Sequence, residues 1–317
     1  MAHDAAHVPA IHMGLPLPNG KLAMWIFLVT EITFFTALIG TYMLLRNGQP
    51  TNRVPWPAPH DVHLVEWLGA LNTFVLICSS LTVVLCHWCL HEAKKAADET
   101  AKKALVKKAV GYLGMTLALG FVFLGIKAWE YKAKIDHEIL PSRIYELKTD
   151  ESKTDREQAY KFQRHVQGQL KHIAEHGGVN DEAAKMCKAL LADIDAGKLS
   201  PKEINERIVG TKNVKKCDLP IKESGAADVK GILEVDHDAH LSYSIPYGNL
   251  WASCYFAMTG FHAIHVFGGL VIFTIYLIAY LFGKFGAESE LSIELTGLYW
   301  HFVDIVWIFL FPLLYLV

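Results

Sequence analysis

A chain of 317 residues with 52% hydrophobic residues, a positive mean hydropathy and a formal net charge of -2 has no one-sided charge character. That balance gives no reason to expect a nucleic-acid partner, so any special property must lie in how the residues are distributed. The six cysteines show neither CxxC nor CxxCH spacing, which excludes covalently attached c-type haem and zinc-ribbon folds.

Hydropathy is concentrated in five stretches almost free of charge: Leu22 to Leu45, Trp67 to Leu90, Ala109 to Trp129, Leu250 to Phe282 and Leu295 to Val317. Each meets the roughly 20 residues that a helix needs to cross a ~30 Å hydrocarbon core. An all-α membrane protein with a five-helix bundle is predicted. The first stretch is too long for a signal-peptide h-region and lacks a small-x-small cleavage site, so residues 1–21 are expected to stay as a cytoplasmic segment. Cys78, Cys86, Cys89 and Cys254 fall in or beside these spans and read as small buried hydrophobes.

Residues 22–132 hold the first three spans, and 247–317 the last two. Lys94, Lys95, Lys102, Lys103, Lys107 and Lys108 lie between spans two and three, against only Arg46 and Arg53 between spans one and two. Cytoplasmic loops are enriched in Lys and Arg, which puts the N-terminus inside and the C-terminus outside; a bacterial cytoplasmic membrane is the expected location.

Residues 133–246 then form a soluble, mostly helical insertion on the outer side. Asn180 is placed to cap a helix whose Cys187, Leu190, Leu191 and Ile194 share a face and which Gly197 stops. Ser200-Pro201-Lys202-Glu203 has capping-box spacing and opens a second helix through Ile204 and Ile208. Cys187 and Cys217 are candidates for a disulfide on this oxidising side. Asp236, His237, Asp238 and His240 read as a solvated linker, with loose metal binding as the alternative.

Five polar residues lie at depths that are costly for them: Glu31, His262, His265, His301 and Asp304. Helix rise puts Glu31 about 14 Å into span one, and His301 and Asp304 about 9 and 14 Å into span five. Three-residue spacing pairs His262 with His265 and His301 with Asp304. Interhelical hydrogen bonding, proton exchange by a carboxylate among imidazoles, and a metal or haem site all fit these residue types. Lys127 and Glu130, three apart at the outer end of span three, read as a snorkelling ion pair. Gly111, Gly114, Gly120, Gly125, Gly260, Gly268 and Gly269 read as sites of close helix approach.

Ordered motifs across all five spans resemble subunit III of the haem–copper respiratory oxidases. They are Trp25-Ile-Phe-Leu with Glu31 and Phe34-Phe35, Leu71-Asn72-Thr73 with Ser79-Ser80, then Gly120 and Glu130-Tyr131. Tyr247-Gly248 and Thr259-Gly-Phe-His262-Ala-Ile-His265-Val follow, and Tyr299-Trp300-His301-Phe-Val-Asp304-Ile-Val-Trp307 closes the set. The resemblance implies a proton-pumping cytochrome c oxidase in which this subunit carries no cofactor of its own. Subunit I packs directly against it, and haem and copper lie in the partner subunits. It also implies phospholipids held at helix interfaces, with His262, His265, His301, Asp304, Trp300, Trp307 and Glu130 as interhelical or lipid-contacting groups. Glu31 matches the buried carboxylate that the family associates with proton uptake.

The insertion and Lys127, where glutamine is common, depart from the family pattern. The insertion is placed to meet subunit II, a cytochrome c or another respiratory complex. A quinol oxidase, the accessory subunit of a nitric oxide reductase, and a stand-alone membrane metal or haem enzyme remain alternatives.

Overall fold

The computed structural model describes residues 18–48, 56–57, 59–62, 64–147, 156–210, 230–236 and 239–316. Among them, five helices are long and apolar enough to cross a membrane. They are α1 (Asn19–Asn47), α2 (Glu66–Lys95), α3 (Glu99–Asp136), α8 (Gly248–Leu281) and α9 (Glu290–Tyr315). The expected all-α membrane fold is what forms.

The helices outrun the apolar stretches at several ends. The six lysines expected in a loop stand on the ends of α2 and α3, because the chain turns in residues 96–98. Asp98 makes that turn possible: its carboxylate accepts from the amides of Thr100 (3.1 Å) and Ala101 (3.3 Å), capping α3 as soon as α2 has ended.

α2 and α3 thus form a tight hairpin. α9 packs on α2, and α8 packs on both α3 and α9, which closes a four-helix ring. α1 lies outside this ring against α8 and α9, and only Phe35 and Tyr42 of it are fully buried.

Two glycines set the closeness of the ring. A Cβ on Gly269 would stand 2.6 Å from the Trp300 ring, and one on Gly120 would run into Leu270 and come within 3.2 Å of Trp300. The other expected small-residue contacts are looser. Gly111, Gly114 and Gly125 have nothing within 4 Å of that position, while Gly260 and Gly268 meet only tyrosine hydroxyls beyond 3.5 Å.

The insertion has its own apolar core. Its described helices are α4 (Arg156–His176), α5 (Asp181–Asp195), α6 (Pro201–Val209) and the short α7 (Ile232–Val235). Both expected starts are present. Asn180 accepts from the Ala183 amide at 2.8 Å, and Ser200 and Glu203 exchange capping-box bonds that hold the Glu203 carboxyl below the usual carboxylate range. Gly197 follows α5 with a φ of +65°.

Cys187 is buried in this core, and burial pushes its thiol up to about 11. Cys217 lies outside the described residues, and so does its expected pairing. His237 and Asp238 also lie outside them, while Asp236 accepts from the Asn180 amide at 2.8 Å.

The insertion is seated on the bundle rather than tethered beside it. The Asn249 side chain at the start of α8 accepts from the Ile144 amide (3.2 Å) and donates to the Ile144 carbonyl (2.7 Å). Gln169 of α4 exchanges hydrogen bonds with Ser242, whose hydroxyl also donates to Glu138 at the exit of α3.

Candidate functional site

The five costly residues do not share one site; they fall into three separate environments. Glu31 and His265 form the first, between α1 and α8. Oε2 of Glu31 is 2.8 Å from Nε2 of His265, and Nδ1 of the same ring is 2.7 Å from the Phe261 carbonyl oxygen. A carbonyl only accepts, so Nδ1 must carry a hydrogen. The Nε2 contact then needs a proton of its own, held as imidazolium against carboxylate or as carboxylic acid against imidazole. Either arrangement joins α1 to α8 through this contact. The side chains of the pair remain 20% and 15% exposed, at the edge of the bundle.

His262 is the second environment and is unlike its neighbour. It is fully buried, stacks on Trp307 at 5.1 Å and meets Phe123 edge-on, with no hydrogen-bond partner on either ring nitrogen. His301 and Asp304 make the third, where α9 faces α2. Nδ1 of His301 is 2.5 Å from the Ser80 hydroxyl. Asp304 is 4% exposed, lies beside the same serine and makes no well-formed hydrogen bond.

Trp300 and Trp307 are fully buried and donate to Ser79 (2.9 Å) and Thr73 (3.1 Å) of α2, so they are interhelical and not lipid-facing. Among the described residues, no three His, Cys, Asp or Glu side chains converge as a metal-holding group.

Lys127 and Glu130 depart most from the sequence reading. Instead of a snorkelling pair at the surface, they form a knot with 4% exposure each. Lys127 donates to Glu130 (3.1 Å), Tyr255 (3.3 Å) and Tyr315 (2.8 Å), and both tyrosine hydroxyls donate to Glu130. The knot joins α3, α8 and α9. The same ammonium lies 4.9 Å from the centre of the Trp307 ring.

One turn further on, Lys134 is fully buried and donates to the Val62 carbonyl at 2.9 Å. The reason is coverage. α3 runs past its apolar stretch while Trp251, Tyr255, Tyr315 and the turn Pro59–Val62 roof its C-terminal end, so no route to water is left for snorkelling. Lys134, Tyr255 and Tyr315 are site residues that sequence reasoning missed. The only signal available was the seven-residue spacing of two lysines about a glutamate.

Membrane-length helices whose interior charges are tied across helices define an integral membrane protein of the helical-bundle class. The model for the family described as cytochrome c oxidase subunit III matches residues 2–139 and 234–317, and the chain belongs to that family. The unmatched stretch falls within the insertion. Cytochrome c oxidase subunit 3 from Synechocystis sp. is 48% identical over 69 residues, 22% of this chain and 30% of that protein. The protein of the same name from Thermostichus vulcanus is 42% identical over 69 residues, 22% of this chain and 34% of its own length. A probable cytochrome c oxidase subunit 3 from Nocardia farcinica is 40% identical over 84 residues, covering 26% and 41% respectively. The chain thus spans less than half the length of these relatives in the matched stretches.

Proposed function

We propose that the chain is the non-redox subunit III of a proton-pumping cytochrome c oxidase, packed against a catalytic subunit I. Haem and copper are assigned to the partner subunits. The observation that carries this reading is the Glu31–His265 pair. A carboxylate and an imidazole sharing a proton at the edge of a bundle are costly against lipid, and a partner subunit covering α1 removes that cost. α1 offers such a partner a broad apolar face, with Ile26, Val29 and Leu44 more than half exposed. The parts of that face left uncovered suit phospholipid acyl chains. The lysines at the α2–α3 turn support a cytoplasmic N-terminus, and the insertion and the C-terminus are proposed to lie in the periplasm.

In this reading the pair helps keep proton uptake by subunit I supplied. The test is affinity purification of the tagged chain from native membranes, followed by oxygen consumption through many turnovers. Subunits I and II are expected to co-purify. Glu31→Gln is expected to start near the wild-type rate and then lose activity over successive turnovers. An unchanged rate and lifetime would reduce the pair to packing, and purification without a haem-bearing partner would remove the whole reading.

The insertion is proposed to dock a cytochrome c domain or a neighbouring respiratory complex. Its separate core and its seat on the outer end of the bundle motivate this. Deleting residues 155–218 is expected to slow turnover with cytochrome c or to dissolve a larger assembly. If both survive intact, the docking role is wrong.

A further inference from the structure

Across the seam between α2 and α9, ionisable groups line up from the lysine-rich end of the bundle towards its interior. On α9, Glu290, Glu294, Gly297, His301 and Asp304 recur at intervals of four, three, four and three residues, which places them on one face. On α2, His91, His87 and Ser80 recur at four and seven. The two faces meet. His91 is 2.5 Å and Lys94 2.8 Å from the Glu290 carboxylate, and Ser80 meets His301.

Between these two contacts lies a half-open groove of about 120 Å³, lined by His87, Glu294, Gly297 and His301 among apolar neighbours. A single water needs roughly 10–15 Å³ of such volume, so the space accommodates several, and three of the lining side chains are polar enough to hold them.

Exposure falls along the seam. The His91 side chain is 45% exposed and that of Glu294 31%, while Asp304 is 4% exposed. Beyond Asp304, on the next turn, the fully buried Trp307 closes the path, its indole fixed on Thr73. A carboxyl at such depth with no well-formed partner must be neutralised by a proton or bridged by a donor.

We infer that the α2–α9 seam is a one-ended proton path that loads Asp304 from the lysine-rich surface, making Asp304 a proton store inside this subunit. An excess proton carried in by water in the groove binds Nε2 of His301 as the Nδ1 proton passes to the Ser80 oxygen and the Ser80 hydroxyl proton passes to Asp304, leaving neutral water behind. His301 and Ser80 each gain one proton and give one up, so the net charge changes only at the Asp304 carboxyl, and His301 is left as its Nε2–H tautomer until the ring and the Ser80 hydroxyl reset.

The charged and titratable groups facing this seam are His87, His91 and Lys94 from α2, Lys21 from α1, and Glu290, Glu294 and His301 from α9 itself. His262 of α8 and Lys127 of α3 contact Trp307 instead. The path is distinct from the Glu31–His265 pair, which joins α1 to α8, and it does not depend on the identity of the partner subunits.

The test is infrared spectroscopy of the full chain, with the subunits that accompany it, in lipid nanodiscs. The carbonyl band of a protonated carboxyl is followed after mixing from H₂O into D₂O, and Asp304→Asn identifies the band by removing it. The wild-type band is expected to shift on deuteration. His301→Ala is expected to slow that shift about a hundredfold, the lower end of what a positioned proton-transfer group supplies, and added imidazole to restore it. Ser80→Ala and His87→Leu, which leave the carboxyl in place, are expected to slow it as well and keep the test open if Asp304→Asn does not assemble. Exchange at the wild-type rate in His301→Ala, or slow exchange that imidazole does not rescue, overturns the path. A protonated-carboxyl spectrum unchanged in Asp304→Asn overturns the store.

Discussion

Replacing Glu130 with leucine is expected to destabilise the bundle by roughly 3–5 kcal/mol, the cost of removing one partner from a buried ion pair. The loss is large because Glu130 is the acceptor for Lys127, Tyr255 and Tyr315 at once. Without it the Lys127 ammonium keeps two tyrosine oxygens but no counter-charge, and both hydroxyls lose their acceptor. Lys127→Gln is expected to be much milder, because an amide still donates to Glu130. The double variant Lys127→Met with Glu130→Leu is expected to recover much of the loss, since no uncompensated charge from that pair remains. Denaturation midpoints of the detergent-solubilised protein measure all three. If Glu130→Leu melts with the wild type, the knot is open to water and does not clasp α3, α8 and α9.

The second large effect is expected at Gly269. A leucine there places its Cβ 2.6 Å from ring carbons of Trp300, a residue with no free space around it. Either α8 and α9 move apart or the indole turns out of its hydrogen bond to Ser79, and overpacking of this kind costs about 1–3 kcal/mol or more. Gly125→Ala, with nothing within 4 Å of the new methyl, is the control and is expected to be neutral or slightly stabilising. Equal midpoints for the two variants would mean that the α8–α9 contact is looser than its geometry. An intact complex that loses only its α9-dependent contacts would instead locate the strain at Trp300.

Much of the fold is written in apolar run length, because a bilayer demands about 20 such residues and little else in the chain competes with that signal. The caps at Asn180 and Ser200 were equally plain, since each satisfies backbone amides within three residues of itself. α4 was legible but not read. Phe162, Val166, Leu170 and Ile173 stand at helical spacing and are buried, yet the polar residues between them keep the stretch from looking apolar.

Spacing along the chain does not give the direction in which each polar side chain points. Residues three apart differ by about 60° around a helix. That is enough to send His262 into the core and leave His265 turned to α1. Burial of Lys134 could not be foreseen from spacing at all, because it depends on a turn and on aromatic residues far away in the chain.

The position of α1 outside the ring has a consequence for how the chain is made. Its described contacts are with α8 and α9, and His265 follows Glu31 by 234 residues. At about 5–20 residues per second, the ribosome delivers that histidine roughly ten to fifty seconds after the glutamate. During that interval α1 carries an acid within its apolar span that has not yet met its partner, held in the bilayer by its apolar side chains. The arrival of α8 ends the wait, so a helix made much later completes one that was inserted earlier.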